Sequence, residues 1–206
     1  MHKTLIFIVL AALIWSACTK SDLPDPVFEN PVFMVNFDST SEGPASVTAG
    51  KDGIYLFTEV SRGFDELLVL SGAFADSKCP TGDCPGSLRF EFRNEWTQDF
   101  VRPDTLFREE FWPYYWFYNP DIQPQTVTIR WVRSDGAIFR SDIFPQFPNQ
   151  DSIHFTVFKS GAWETNENGE KTWKMDIDFA CQLFDSTQQS QPKFVKGTGV
   201  IAVAYR

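Results

Sequence analysis

Apolar and polar residues alternate over short segments along much of the chain. In residues 87–93, Leu88, Phe90 and Phe92 share one face, while arginine and glutamate residues occupy the other. Alternation with a period of two residues is typical of a β-strand that buries one face. Such patterns, and short apolar segments between turn residues, predict strands at 32–37, 45–49, 54–60, 66–75, 87–93, 127–131, 137–141, 153–157, 171–184 and 197–205.

Two of these segments carry further information about their position in a sheet. Residues 66–75 are apolar on both faces, which predicts a central strand. Residues 171–184 form the longest predicted strand, with Lys174, Asp176, Asp178 and Gln182 facing outward. Its predicted inward residues are Trp173, Met175, Ile177, Phe179, Cys181 and Leu183.

The spacing of strands and turns predicts an all-β protein. Asp135-Gly136 and Asn168-Gly169 are dipeptides that favour tight hairpin turns, and strands that recur between turn signals indicate a sandwich. Trp131 followed by Asp135-Gly136 resembles the Trp and Asp-Gly positions of PKD-type and other Ig-like modules. The resemblance implies an Ig-like β-sandwich, built either as two small sandwiches or as one large elaborated one.

The amino terminus has the pattern of a secretory signal. His2 and Lys3 precede an apolar run at residues 5–15, which is followed by Ser16, Ala17 and Cys18. The run is shorter than the ~20 residues needed to span a bilayer as a helix. The sequence therefore predicts a signal helix that is removed from the exported protein.

A cysteine placed directly after two small residues resembles the lipobox of bacterial lipoproteins, although Trp15 stands where that family usually has Leu. The resemblance implies that the Cys18 thiol is acylated, that cleavage occurs before Cys18, and that chains such as palmitate anchor the protein in a lipid bilayer. Several acyl chains hold a protein stably. Thr19 in place of Asp implies the outer membrane of a Gram-negative bacterium.

A long segment between two groups of strands lacks a hydrophobic period. Residues 95–125 contain four prolines and a dense aromatic run at 111–118. The segment either links two sandwiches or forms a long ordered loop within one. The predicted organisation is a signal peptide at 1–17, a flexible tether at 18–31, a first β-sandwich unit at 32–94, the connecting segment at 95–125 and a second unit at 126–206.

Charge excludes one class of partner. The chain has 18 basic and 27 acidic residues and a net charge of −9. An acidic surface repels nucleic-acid phosphates, and no basic run offsets the repulsion. We therefore expect no nucleic-acid partner and no polybasic membrane patch.

The remaining cysteines suggest one disulfide. Cys79 and Cys84 enclose turn residues, and an oxidising compartment favours a bond between them. A metal site is the alternative, but two thiols without a nearby histidine do not complete a tetrahedral shell. Cys181 falls on an inward position, where a buried free thiol is expected.

Candidate catalytic residues are sparse. His154 is the one histidine after the signal segment, and its strand period places it outward with no nucleophile-elbow motif in the chain. Asp176 and Asp178 share a strand face, and Glu109 and Glu110 lie beside the aromatic run. Paired carboxylates could serve Ca²⁺ or glycoside hydrolysis, but polar residues on alternate positions are also what a solvent face contains.

The aromatic run is the best candidate for binding. Exposed Trp and Tyr rings stack on sugars and anchor protein interfaces, whereas buried ones would fill space between sheets. The candidate binding residues are Trp112, Tyr114, Tyr115, Trp116 and Tyr118.

These patterns predict a membrane-anchored envelope lipoprotein that acts as a non-catalytic binding, adhesion or assembly module. We expect no enzymatic activity, no cofactor and no metal, and an envelope protein or glycan as the partner. The alternatives are an envelope glycan hydrolase that uses paired carboxylates, and a sugar-capture lipoprotein of a nutrient-uptake system.

Overall fold

A computed structural model describes residues 33–38, 44–62, 67–79, 83–95, 125–142, 154–165, 171–187 and 189–204. This part of the chain is all-β, as predicted, and each predicted strand is present. No helix that is long and apolar enough to cross a membrane occurs in it. The strands are β1 (Met34–Phe37), β2 (Ser46–Thr48), β3 (Ile54–Arg62), β4 (Leu67–Asp76), β5 (Leu88–Glu95), β6 (Gln125–Val132), β7 (Ile138–Arg140), β8 (His154–Thr165), β9 (Lys171–Asp185) and β10 (Lys193–Ala204).

All the described strands belong to one antiparallel sheet, which is nearly closed into a barrel. Its order is β2-β1-β10-β9-β7-β6-β5-β4-β3, and β8 pairs with β9 beside this path. Strands β5 and β6 pair with each other, so strands from both halves of the chain lie in the same sheet. The two ends of the sheet approach each other where β2 lies near β3 and β10 packs against β3 and β4.

The inward faces form one hydrophobic core, with the alternation that the sequence predicts. Leu88, Phe90 and Phe92 of β5 have no exposed surface. The six predicted inward residues of β9 are all buried. Strand β4, predicted to be central, is paired on both sides, with β3 and β5, and lies one strand from the end of the sheet order. Phe179 of β9 joins two walls of the sheet, one that contains β1, β10 and β9 and one that contains β6, β5 and β4. Its ring centroid lies 5.8 Å from that of Phe37 in β1 and 5.8 Å from that of Phe90 in β5.

Glycines allow two close backbone approaches, one between the facing strands β4 and β10 and one between the paired strands β10 and β1. A Cβ atom added at Gly72 of β4 would lie 2.2 Å from the backbone oxygen of Ala202 in β10. At Gly197, an added Cβ would lie 2.4 Å from the backbone oxygen of Asn36 and 3.2 Å from the Phe179 ring. Glycine within a strand marks a bend or a close contact between backbones. The wall at β4 therefore touches the wall at β10, and the sheet interior is filled at that point.

Strand β8 is longer than predicted: the sequence indicated a strand only at 153–157. It continues to Thr165 through two shifts of register against β9, between Val157 and Lys159 and between Ser160 and Ala162. Each shift adds one residue to β8 and interrupts the period of two. The continuation therefore has no simple alternation by which to recognise it.

Asp185 organises the turn between β9 and β10. Its Oδ2 accepts hydrogen bonds from Ser190 Oγ at 2.6 Å and Ser190 N at 3.1 Å, and its Oδ1 accepts from Thr187 N and Thr187 Oγ1, each at 2.8 Å. These bonds favour the ionised carboxylate. The Ser190 hydroxyl contributes most, followed by the Thr187 backbone, and together they lower the pKa of Asp185 to about 2.

We expect Asp185→Asn to destabilise the protein near neutral pH. The folded-state pKa lies below the ordinary carboxyl value, so ionised Asp185 stabilises the fold above that value and the contribution is lost as pH falls towards about 2. The difference in melting temperature between wild type and variant should thus shrink below about pH 4. Thermal melts across this range measure it. Ser190→Ala should show a smaller loss in the same pH window, and a pH-independent difference would contradict the explanation.

Candidate functional site

Several predicted site residues lie outside the described part of the chain. They are the lipidation candidate Cys18, the acidic residues Glu109 and Glu110, and the aromatic candidates Trp112, Tyr114, Tyr115, Trp116 and Tyr118. Their roles remain predictions.

The predicted disulfide between Cys79 and Cys84 is present. It lies between β4 and β5, where Cys79 N donates to Asp76 O at 2.8 Å and Ser87 N donates to Cys84 O at 3.1 Å. Gly86 N donates to Val132 O at 2.8 Å, which ties this connection to the end of β6. The bond therefore fixes the loop that carries Asp83.

We expect the double substitution Cys79→Ser with Cys84→Ser to lower the free energy of unfolding by roughly 2 kcal/mol, since a short cross-linked loop restricts the unfolded chain. Urea denaturation followed by tryptophan fluorescence measures the change. Wild-type protein treated with a reducing agent should show the same loss. If the reductant does not move the wild-type midpoint, the disulfide does not contribute to stability.

The other predicted chemistry has an ordinary structural setting. Cys181 is free and buried, as expected, and burial raises the pKa of its thiol, which disfavours the nucleophilic thiolate. His154 is exposed, as expected, and its Nε2 lies 3.0 Å from Asp178 Oδ1. Asp176 and Asp178 share the outward face of β9. Within the described residues, no group of three or more His, Cys, Asp or Glu residues is arranged to hold a metal ion.

The outer face of β5, β6 and β7 carries a feature that the sequence did not reveal. Arg89 of β5 lies directly opposite Arg130 of β6, and Arg130 lies directly opposite Arg140 of β7. We call these three residues the arginine row. Their neighbours along each strand point into the core, so the row faces away from it.

Each arginine of the row has an acidic partner. Arg89 Nη2 lies 3.0 Å from Glu59 Oε2, and its Nε lies 3.1 Å from Glu91 Oε1. Arg130 Nη1 donates to Asp83. Arg140 binds Asp142 with two hydrogen bonds, Nε to Oδ1 at 2.8 Å and Nη2 to Oδ2 at 2.5 Å.

The charges of the row act on one another. The hydrogen bonds that Arg140 donates to Asp142 are the largest cause of a raised pKa at Arg140, and the negative charges of Asp142, Glu91 and Asp83 raise it further. Like charges directly opposite on neighbouring strands destabilise a sheet. The acids offset this repulsion, so the row is a compact network of alternating charge rather than a uniformly basic patch.

Arg130 is the least satisfied member of the network. Within the described residues, its Nε is buried and has no hydrogen-bond partner. On the same face of β6, Thr126 Oγ1 is also buried and has no hydrogen-bond partner among the residues that the structure describes. Buried polar groups are rarely unpaired in native proteins, and exceptions often lie at functional sites.

The arginine row can bind and orient a ligand, but it cannot exchange protons with one. Guanidinium groups stay protonated and present several N–H donors in a planar fork that matches a carboxylate or sulfate group. Alternation along β5 and β6 places each arginine outward, but only the register of the three strands places them side by side.

Comparison with protein-family models, curated proteins and solved structures finds no match to this chain.

Proposed function

We propose that the protein is an exported, lipid-anchored module of the cell envelope that binds a partner without catalysis. The observation that supports this proposal is the arginine row, three guanidinium-bearing residues placed side by side on a well-packed sheet. Sites on strands hold their side chains more precisely than sites on loops. The Cys79–Cys84 disulfide supports export, since such bonds persist in oxidising compartments.

The anchor is proposed to be Cys18, with the bilayer of a Gram-negative outer membrane as its support. Intact mass and membrane partition of the full chain, expressed beside Cys18→Ala, test this part. We expect the mature wild-type species to begin at Cys18, to be heavier by its acyl chains and to be membrane-bound. The variant should lack both the added mass and the membrane association. An unmodified soluble wild type would contradict the anchor.

The binding role has its own test. Wild-type protein, kept soluble in detergent, should co-sediment with protein-stripped cell-envelope material. Much less of the Arg130→Gln variant should appear in the pellet. Arg133→Gln is the matched control, because Arg133 is also paired with one aspartate, Asp135, at 2.9 Å but lies outside the row. Equal sedimentation of the two variants would contradict binding through the arginine row. Release of soluble sugar from the material would instead favour the glycan hydrolase.

An Ig-like sandwich is the finer architecture proposed for this domain. The Trp131 to Gly136 hairpin supports it, as does the direct contact between β4 and β10 at Gly72, which brings two walls of the sheet together as facing layers.

A further inference from the structure

We propose that the arginine row binds an acidic polysaccharide and that Asp83 occupies Arg130 until the ligand displaces it. This inference rests on the proposed binding role and names the class of ligand. Three features support it: the spacing of the three arginine positions across the paired strands, the incomplete satisfaction of Arg130, and the exposure of Asp83.

The spacing suits a linear ligand with repeated anionic groups. Adjacent strands lie about 4.8 Å apart, so the row extends about 10 Å from Arg89 to Arg140. A polysaccharide that bears carboxylate or sulfate groups along its length can contact Arg130 and Arg140 at once, since these side chains are 23% and 36% exposed, whereas Arg89 is 13% exposed. Each such contact is a charge-assisted hydrogen bond, and these are stronger than neutral ones.

Arg130, at the centre of the row, has unused capacity. Within the described residues, Asp83 is its one hydrogen-bond partner, and this bond uses Nη1 alone. An arginine has five N–H donors. The side chain is 23% exposed, so a ligand can reach part of it, although Nε itself is buried.

Asp83 is the acid most easily displaced. It is 41% exposed and lies on the disulfide-closed loop, whereas Asp142 is 16% exposed and holds Arg140 through two hydrogen bonds. An exposed ion pair contributes little to stability. An incoming anion can therefore replace Asp83 on Arg130 at small cost while Asp142 keeps Arg140 in position.

The acids around the row favour a sugar over a nucleic acid. Glu59 is 59% exposed beside Arg89 and can accept hydrogen bonds from sugar hydroxyl groups. The sugar hydroxyl groups that lie between the anionic groups of a polysaccharide can donate to this carboxylate, whereas backbone phosphates have no hydrogen to donate. The net charge of −9 repels both polyanions, so these hydroxyl groups make the difference.

Binding of a galacturonate oligosaccharide to the purified full chain in detergent, measured by isothermal titration calorimetry, tests the inference. Dextran sulfate provides the sulfate arm, and uncharged dextran is the neutral control. We expect Arg130→Gln to weaken binding about tenfold or more. Arg133→Gln should stay within about twofold of wild type, since Arg133 lies outside the row. Arg130→Lys keeps the charge without the planar fork and should fall between the two.

Substitution of Asp83 should change the affinity in the opposite direction to substitution of Arg130. Asp83→Asn removes the internal competitor and should tighten binding about threefold. Asp135→Asn, which releases Arg133 in the same way, should leave affinity unchanged. A loss of affinity in Asp83→Asn would overturn the role of Asp83.

The outcomes separate this inference from the function on which it rests. If envelope material binds through Arg130 but neither acidic polysaccharide does, the ligand class is wrong and the binding role stands. If Arg130→Gln and Arg133→Gln behave alike in both experiments, both proposals fail. Equal affinity for single-stranded DNA would overturn the choice of polysaccharide. Thermal melts of each variant show whether a lost affinity reflects lost folding.

Discussion

A Gly72→Ala substitution is expected to lower the free energy of unfolding by about 3 kcal/mol, at the upper end of the usual cost of overpacking. The added Cβ would lie 2.2 Å from the backbone oxygen of Ala202. Neither partner can rotate away, because Ala202 belongs to β10 and is paired with Lys174 of β9. The two walls would have to separate where β4 meets β10, and urea denaturation followed by tryptophan fluorescence measures the loss.

Gly136→Ala is the matched control for this prediction. Gly136 has a φ angle of 86°, but no atom lies within 4 Å of its added Cβ. The substitution should therefore cost about 1–2 kcal/mol, from the left-handed backbone alone. If Gly72→Ala accumulates no folded protein while Gly136→Ala does, the contact is confirmed in its strongest form. Similar midpoints for the two variants would contradict the close approach of β4 and β10.

The strands were predictable because their information is local. Alternation in β5 and β9 places the same residues inward in the sequence and in the structure. The disulfide was predictable because the sequence separation of its cysteines is 5 and turn residues lie between them. In each case the deciding residues are close together along the chain.

The arginine row and the nearly closed sheet were not predictable, because they depend on pairing between distant strands. Arg89 and Arg140 meet Arg130 only through the registers of β5 with β6 and of β6 with β7, and a slip of one residue would turn Arg130 to the other face. Similarly, the sequence around Gly72 does not indicate that β10 packs against this residue. Asp185, followed closely by Thr187 and Ser190, carried a local turn signal that sequence reasoning missed.

Phe179→Ala is expected to lower the free energy of unfolding by about 3–5 kcal/mol, the usual cost of truncating a buried phenylalanine. Phe179 has no exposed surface, and its ring makes edge-to-face contacts with both Phe37 and Phe90. The Phe179 ring also packs against Gly197, where an added Cβ would lie 3.2 Å from it. Truncation therefore leaves a cavity between β9 and β5 and uncovers a flexible glycine. Phe57→Ala is the control; Phe57 is half-buried, and its loss should cost about 1 kcal/mol.

A double-mutant cycle between Phe179 and Phe90 isolates the contact that joins the two walls. Their ring centroids are 5.8 Å apart with an interplanar angle of 75°, an edge-to-face arrangement. Such pairs contribute about 0.5–1.5 kcal/mol beyond the area they bury. We expect a coupling free energy in that range, measured from urea denaturation of both single variants and the double variant. Strict additivity would show that the two rings fill the core independently, and the contact between β9 and β5 would then have no specific aromatic contribution.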